Sequence, residues 1–135
     1  MYEPIRTNSV HTVAAPTIPR RTRDEELEFQ LAGHLAALLT VTDELLAVAP
    51  SSDLGHAAEL LSAHIERLRH GKAPLRIQPA AVTGDTAEDR VTALHRRAHA
   101  LAGRALVVAA SRQDTTGAVL SAQRMDAHQA ALTAA

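Results

Sequence analysis

The sequence predicts an all-α fold, a small antiparallel helix bundle, on three observations. Apolar residues recur at steps of three and four through three long stretches. No stretch alternates apolar and polar residues as a half-buried strand would. The 135 residues hold only two aromatic rings, Tyr2 and Phe29. The apolar content is therefore leucine, valine and alanine, which build close-packed bundles more readily than aromatic-lined ligand pockets.

The elements follow in order. Residues 1–21 carry Pro4, Pro16 and Pro19 among threonines and small apolar residues, which predicts an extended or disordered N-terminal arm ahead of one helical domain, residues 22–135. Thr22 and Glu25 stand in capping-box spacing, and Asp24, Glu25 and Glu26 suit the positive end of a helix. The first helix should bury Leu27, Leu31, His34, Leu38, Val41 and Leu45, widened by Leu35, Thr42 and Leu46, and stop near Ala49 because Pro50 disfavours helix in the residue before it. Ser51 or Ser52 caps a second helix with a stripe of Leu54, Ala57, Ala58, Leu61, His64, Ile65 and Leu68, and Gly71 stops it. So short a link makes these two helices antiparallel neighbours. Residues 72–84 read as a long ordered loop whose Leu75, Ile77 and Val82 lie across the bundle. Asp85 or Thr86 caps the third helix, whose stripe of Ala87, Val91, Leu94, Ala98, Leu101, Ala105 and Val108 alternates large and small residues. Polar residues 111–116 and Gly117 predict a break. Thr115 would cap a weaker fourth helix with the stripe Ala118, Ala122, Met125, Gln129 and Leu132, although one continuous helix remains open.

Composition narrows the function classes. With no cysteine, disulfides and thiolate metal sites are excluded. A net charge of −1, with both signs mixed along the chain, gives no field for steering onto nucleic acid or anionic lipid. No apolar run approaches the ~20 residues of a membrane span, and Met1 to Val10 lack a basic-then-apolar leader pattern, so cytoplasm is the expected compartment. No nucleophile elbow, phosphate loop, dinucleotide fingerprint or useful pair of carboxylates occurs, and no cofactor is expected. Arg20, Arg21 and Arg23 read as a solvated cluster before a helix, and Arg96, Arg97 and Arg104 as a solvated helix face.

The histidines are the unusual feature. His34 and His64 fall on or beside apolar stripes, and His95 and His99 are one helical turn apart. Most simply, His34 and His64 are buried or half-buried polar residues with ordinary hydrogen-bond partners. A sharper alternative is a metal- or haem-binding bundle using His34, His64, His95 and His99. The carboxylates that accompany such sites are missing: neither Glu-x-x-His nor His-Glu-x-x-His is present, and arginines crowd His95. A third reading is a pH-sensitive bundle, in which a histidine held neutral by burial weakens the fold as pH falls through about 6.5.

Surplus apolar surface gives the best clue to interaction. Phe29, Ala32, Ala36 and Leu39 lie off the main stripe of the first helix, and the stretch from Leu106 and Val107 to Ala110 is apolar all round. A helix apolar on two sides is either central in its fold or packed on another chain. The segments Leu31-Ala32-Gly33-His34-Leu35, His64-Ile65 with Gly71 beyond, and His95 to Ala102 together resemble short helical proteins of streptomycetes and their relatives, some encoded near natural-product genes. The likeness covers about residues 27–110, implies a helical fold and transfers no site. The expected function is a non-enzymatic helical interaction or regulatory protein, acting on a protein partner or on a second copy of itself.

Overall fold

The computed structural model describes residues 21–79 and 86–134. Four helices, α1 (Arg23–Val48), α2 (Ser52–Leu68), α3 (Ala87–Ser111) and α4 (Thr115–Ala134), account for its regular structure, and there is no strand among the described residues. The arm predicted for residues 1–21, apart from Arg21 at its end, lies outside the described residues, as do Val82 and Asp85.

Local chemistry sets the boundaries. Thr22 and Glu25 form the reciprocal box: the Glu25 N–H donates to Thr22 Oγ1 at 3.1 Å and the Thr22 N–H to Glu25 Oε1 at 2.8 Å. These Thr22 contacts hold the Glu25 carboxyl below its ordinary pKa. Ser51 caps α2 by accepting the Leu54 N–H at 3.1 Å. Past α2, His70 and Gly71 both take positive φ, and the Gly71 N–H reaches back to the Glu66 carbonyl at 2.8 Å. Thr86 sits at the start of α3 without a side-chain cap bond.

The predicted break between α3 and α4 is present, but its chemistry differs from the expectation. Gln113 takes φ 58°, and the Asp114 N–H bonds the Ala109 carbonyl at 2.8 Å, closing α3. Asp114, not Thr115, then caps α4: its Oδ1 accepts the Gly117 N–H at 2.9 Å. Thr115 is the first helical residue.

The four helices close a ring: α1 packs on α2 and on α3, α3 packs on α4 through the most extensive interface, and α4 meets α2 through the slightest. Polar contacts between opposite ends of neighbouring helices fix an antiparallel order. Glu28 near the start of α1 meets His70 just past α2 at 3.1 Å. Arg90 at the start of α3 meets Glu44 late in α1 at 2.7 Å. His95 early in α3 meets His128 late in α4 at 2.9 Å, and Asp53 and His64 of α2 meet Arg124 and Asp114 at 3.1 and 2.7 Å.

The core between α1, α2 and α3 is aliphatic: Leu31, Leu35, Leu38, Leu45, Leu61 and Ile65 are sealed from solvent. The predicted row is kept at Leu31, Leu38, Val41 and Leu45, but His34 is only half-buried, and Leu35 beside it is the buried residue of that turn. By length and composition α1 is also apolar enough to cross a membrane. The expectation that no apolar run approaches that length is thereby corrected: Gly33, His34, Thr40 and Thr42 interrupt the run in α1 without lowering its apolar character below that of a span.

Two expectations fail on packing. The loop residues Leu75 and Ile77 do not lie across the bundle: they are 85% and 74% exposed. Arg76 between them points inward, with Nε and NH2 on the Asp43 carboxylate of α1 at 3.1 and 2.7 Å and NH1 on Glu59 of α2 at 3.4 Å. The α4 stripe of Ala118, Ala122, Met125, Gln129 and Leu132 is half-buried or exposed, and the helix buries Gly117, Leu120, Ser121, Arg124 and His128 instead.

Candidate functional site

Two features stand out from an otherwise ordinary bundle: an aromatic knob beside a hollow on α1, and a buried polar face on α4.

The α1 surface begins with Phe29, which is 59% exposed. The Arg21 guanidinium stacks over its ring, 4.1 Å from the centroid. Beside it lies a surface hollow of about 470 Å³ floored by Ala32, Gly33, Ala36 and Leu68. Its rim mixes cations (Arg21, Arg69, Lys72) with anions (Glu25, Glu28). Knob and hollow are neighbours because residues three, four and seven apart share a helix face. The small side chains make the depression, and a Cβ added to Gly33 would meet nothing within 4 Å.

Of the residues expected at an interface, Phe29, Ala32 and Ala36 are therefore brought together. Leu39 is not among them: it is 2% exposed and belongs to the core, because α1 is wedged between two helices and buries an arc wide enough to include it. Leu106 is half-buried and Val107 exposed on α3, away from this hollow.

The second feature runs along the inward face of α4. Ser121, Arg124 and His128 lie at steps of three and four and are all buried. Arg124 reaches α2, where NH1 donates to Asp53 Oδ2 at 3.1 Å. The guanidinium is almost fully covered while Asp53 is mostly exposed. His128 meets His95 of α3, Nδ1 to Nδ1 at 2.9 Å with the rings tilted by 50°. One of these nitrogens must donate and the other accept. Ser121 Oγ, Arg124 Nε and His128 Nε2 have no hydrogen-bond partner within the described protein. Burial, then Arg124, then His95 push His128 down to about 4, with a smaller opposing pull from Asp53. Burial, followed by Arg124, also lowers His95.

His64 takes a different role. Its Nε2 donates to Asp114 Oδ2 at 2.7 Å, tying α2 to the cap of α4. Burial raises the Asp114 carboxyl, but the N–H of Gly117 and the His64 bond outweigh it and hold the group below its ordinary value.

The four histidines considered as ligands are thus divided among different contacts. His64 is with Asp114, His95 is with His128, His34 is half-buried on α1, and His99 lies a turn beyond His95. Among the described residues no three His, Cys, Asp or Glu side chains converge as a metal site. The guanidinium of Arg124 beside the His95–His128 pair also opposes a cation there. Sequence reasoning did not select His128, Arg124, Ser121 or Asp114. The only available signal was three polar residues, 121, 124 and 128, at helical spacing, which is ordinarily the mark of a solvated face.

A shallower groove of about 370 Å³ separates α2 from α4, with Leu60 and Val119 on its lips and His64 and Leu120 at its floor. It marks where the ring of helices closes least tightly.

Comparisons with protein families, with curated proteins and with solved structures find no match to this chain.

Proposed function

We propose that this protein is a non-enzymatic helical interaction protein that associates with a second copy of itself through the outer face of α1. The observation that carries this reading is the placement of Phe29, the one large aromatic side chain in the bundle, on the rim of a hollow made by Ala32, Gly33 and Ala36. A two-fold axis passing between Ala32 and Gly33 would set Phe29 of each copy against Ala36 of the other, small residue against small residue at the centre. Such an isologous contact uses one patch twice. Residues Glu25 and Thr40 would then oppose each other, so no like charges meet along the stripe. Buried aromatic anchors in small-residue pockets supply most of the energy of typical interfaces, about 2 kcal/mol or more each. The mixed charges of the rim suit a self-complementary surface better than a strongly charged partner.

The reading is tested in cells with a photo-crosslinking amino acid at position 29. Adducts of twice the chain mass are expected. Adducts to a different protein would keep the surface as an interface but replace the partner. No adduct at position 29, or an equal yield of the same adduct from the exposed control position Arg96 on α3, would refute the reading.

A further inference from the structure

The inward face of α4 contradicts the ordinary logic of a bundle helix. Four of its five buried positions are glycine or polar, and only Leu120 is a large apolar residue. What holds α4 to α3 therefore includes the contact between His95 and His128. That contact has room for one proton. With both imidazoles neutral, one Nδ1–H donates to the other Nδ1 lone pair across 2.9 Å. With both charged, two N–H groups face each other and the bond is lost.

The surroundings make the charged state costly. On α4 itself the nearest charged group is Arg124, which is buried. From α3 come His95 and His99, one turn apart, which add positive charge if they titrate. From α2 comes Asp53, the single carboxylate among the described residues that faces the pair, already bonded to Arg124 and itself mostly exposed. Protonation at His128 would thus place a second cation beside a buried guanidinium with one distant anion to balance both. Outside the bundle an α4 imidazolium would be hydrated freely.

We propose that α4 is an acid-released helix: protonation of the His95–His128 pair lifts α4 from α3 while the α1–α2–α3 core stays folded. The division of the core supports this order. Leu31, Leu35, Leu38, Leu61 and Ile65 are sealed in the aliphatic core to which α1 and α2 contribute, away from the His95–His128 contact between α3 and α4. The α4–α2 side, moreover, is the most open seam. Release would uncover the α3 face around Gly103, which lies against Met125, and Leu120 of α4, a surface available only in acid.

The sign follows from linkage. A histidine whose folded pKa is depressed gives stability that is complete above about 6.5 and is lost as pH falls toward the folded value. With His128 at about 4 when docked and about 6.5 when released, a fall from pH 7.5 to 5 favours the open helix about 30-fold from this residue alone.

The experiment is amide hydrogen exchange of the full chain, as protection factors corrected for intrinsic rates, at pH 7.5 and pH 5. Amides of α4 should lose at least tenfold protection while those of α1 between Leu31 and Leu45 change little. Equal protection of α4 at both pH values would overturn the proposal, and so would parallel loss in α1 and α4, which would mean global unfolding. The double variant His95→Phe/His128→Leu removes both titrating groups. Its α4 protection should be the same at both pH values, and retained acid sensitivity would overturn the assignment to this pair. If that variant does not fold, imidazole titration of the native protein by NMR decides: His128 must titrate well below 6.5, and a value at or above 6.5 refutes the mechanism.

Discussion

Gly117 and His64 approach each other so closely that a β-carbon on the glycine would stand 3.0 Å from His64 Nε2 and 2.7 Å from Asp114 Oδ2. The glycine at the start of α4 is therefore there for space. It lets Asp114 turn one carboxylate oxygen to the α4 N-terminus and the other to α2. Gly117→Ala should destabilise the fold by about 0.5–2 kcal/mol, since the loss of a charge-assisted bond exceeds the roughly 1 kcal/mol that alanine returns in helix propensity. Urea unfolding would show a lower midpoint; an unchanged or raised midpoint would contradict this account of the glycine.

The Asp114 carboxylate gives a second prediction, in acid. Its folded pKa is depressed, so its contribution is present above the unfolded value of about 3.9 and disappears as pH falls below it. Asp114→Asn retains a capping oxygen but loses the charge, so the variant should be less stable than the native chain at pH 7 and nearly equal to it near pH 2. A constant difference at both pH values would show that the charge of Asp114 contributes nothing.

Arg124 should be replaceable. It is buried against one exposed carboxylate, and its Nε has no partner within the described protein. Isosteric removal of a poorly compensated buried charge is often neutral or stabilising by about 1–4 kcal/mol. Arg124→Met should therefore melt no lower than the native protein at pH 7. It should also titrate His128 closer to its ordinary value, because the guanidinium is the largest charge acting on that imidazole. A large loss of stability at pH 7 would show that the Asp53 pair is worth more than its exposure suggests.

Arg76 is a local fastener. It ties residues 72–79 to both α1 and α2 through Asp43 and Glu59. Partly exposed pairs contribute about 1 kcal/mol or less, so Arg76→Ala should scarcely shift the unfolding midpoint. It should, however, speed proteolysis within 72–79, where Leu75 and Ile77 gain no cover of their own. Unchanged cleavage would mean that the loop is held by something other than this guanidinium.

Much of this architecture was legible in the chain. The Thr22–Glu25 box, Pro50, Ser51 and Gly71 are local signals, and each marks a boundary that the structure keeps. The seam of α3 was legible because Leu94, Ala98, Leu101, Ala105 and Val108 stand against charged residues on the opposite face. In α4 the same method failed for a physical reason. Alanines occur on every side of that helix, so periodicity cannot select a face, and the true inward row is polar. The His95–His128 contact joins residues 33 apart on different helices, which no local pattern encodes. Leu39 was misplaced because its burial depends on α1 packing against two neighbouring helices, a tertiary fact. On α1 the Phe29–Ala32–Ala36 grouping was legible, being one helix face, but not the contribution of Leu68 and Lys72 from around the end of α2.

Sedimentation equilibrium of the native chain beside Gly33→Leu tests self-association through α1 most directly. The substitution fills the hollow from its floor, and no atom of the bundle obstructs its Cβ. Leucine is also favoured over glycine in a helix by roughly 0.5–1 kcal/mol. The native chain should sediment as two copies, and Gly33→Leu as one, with an unfolding midpoint equal to or above the native value. A native chain that stays single at high concentration, or a Gly33→Leu chain that pairs as well as the native one, would contradict the account.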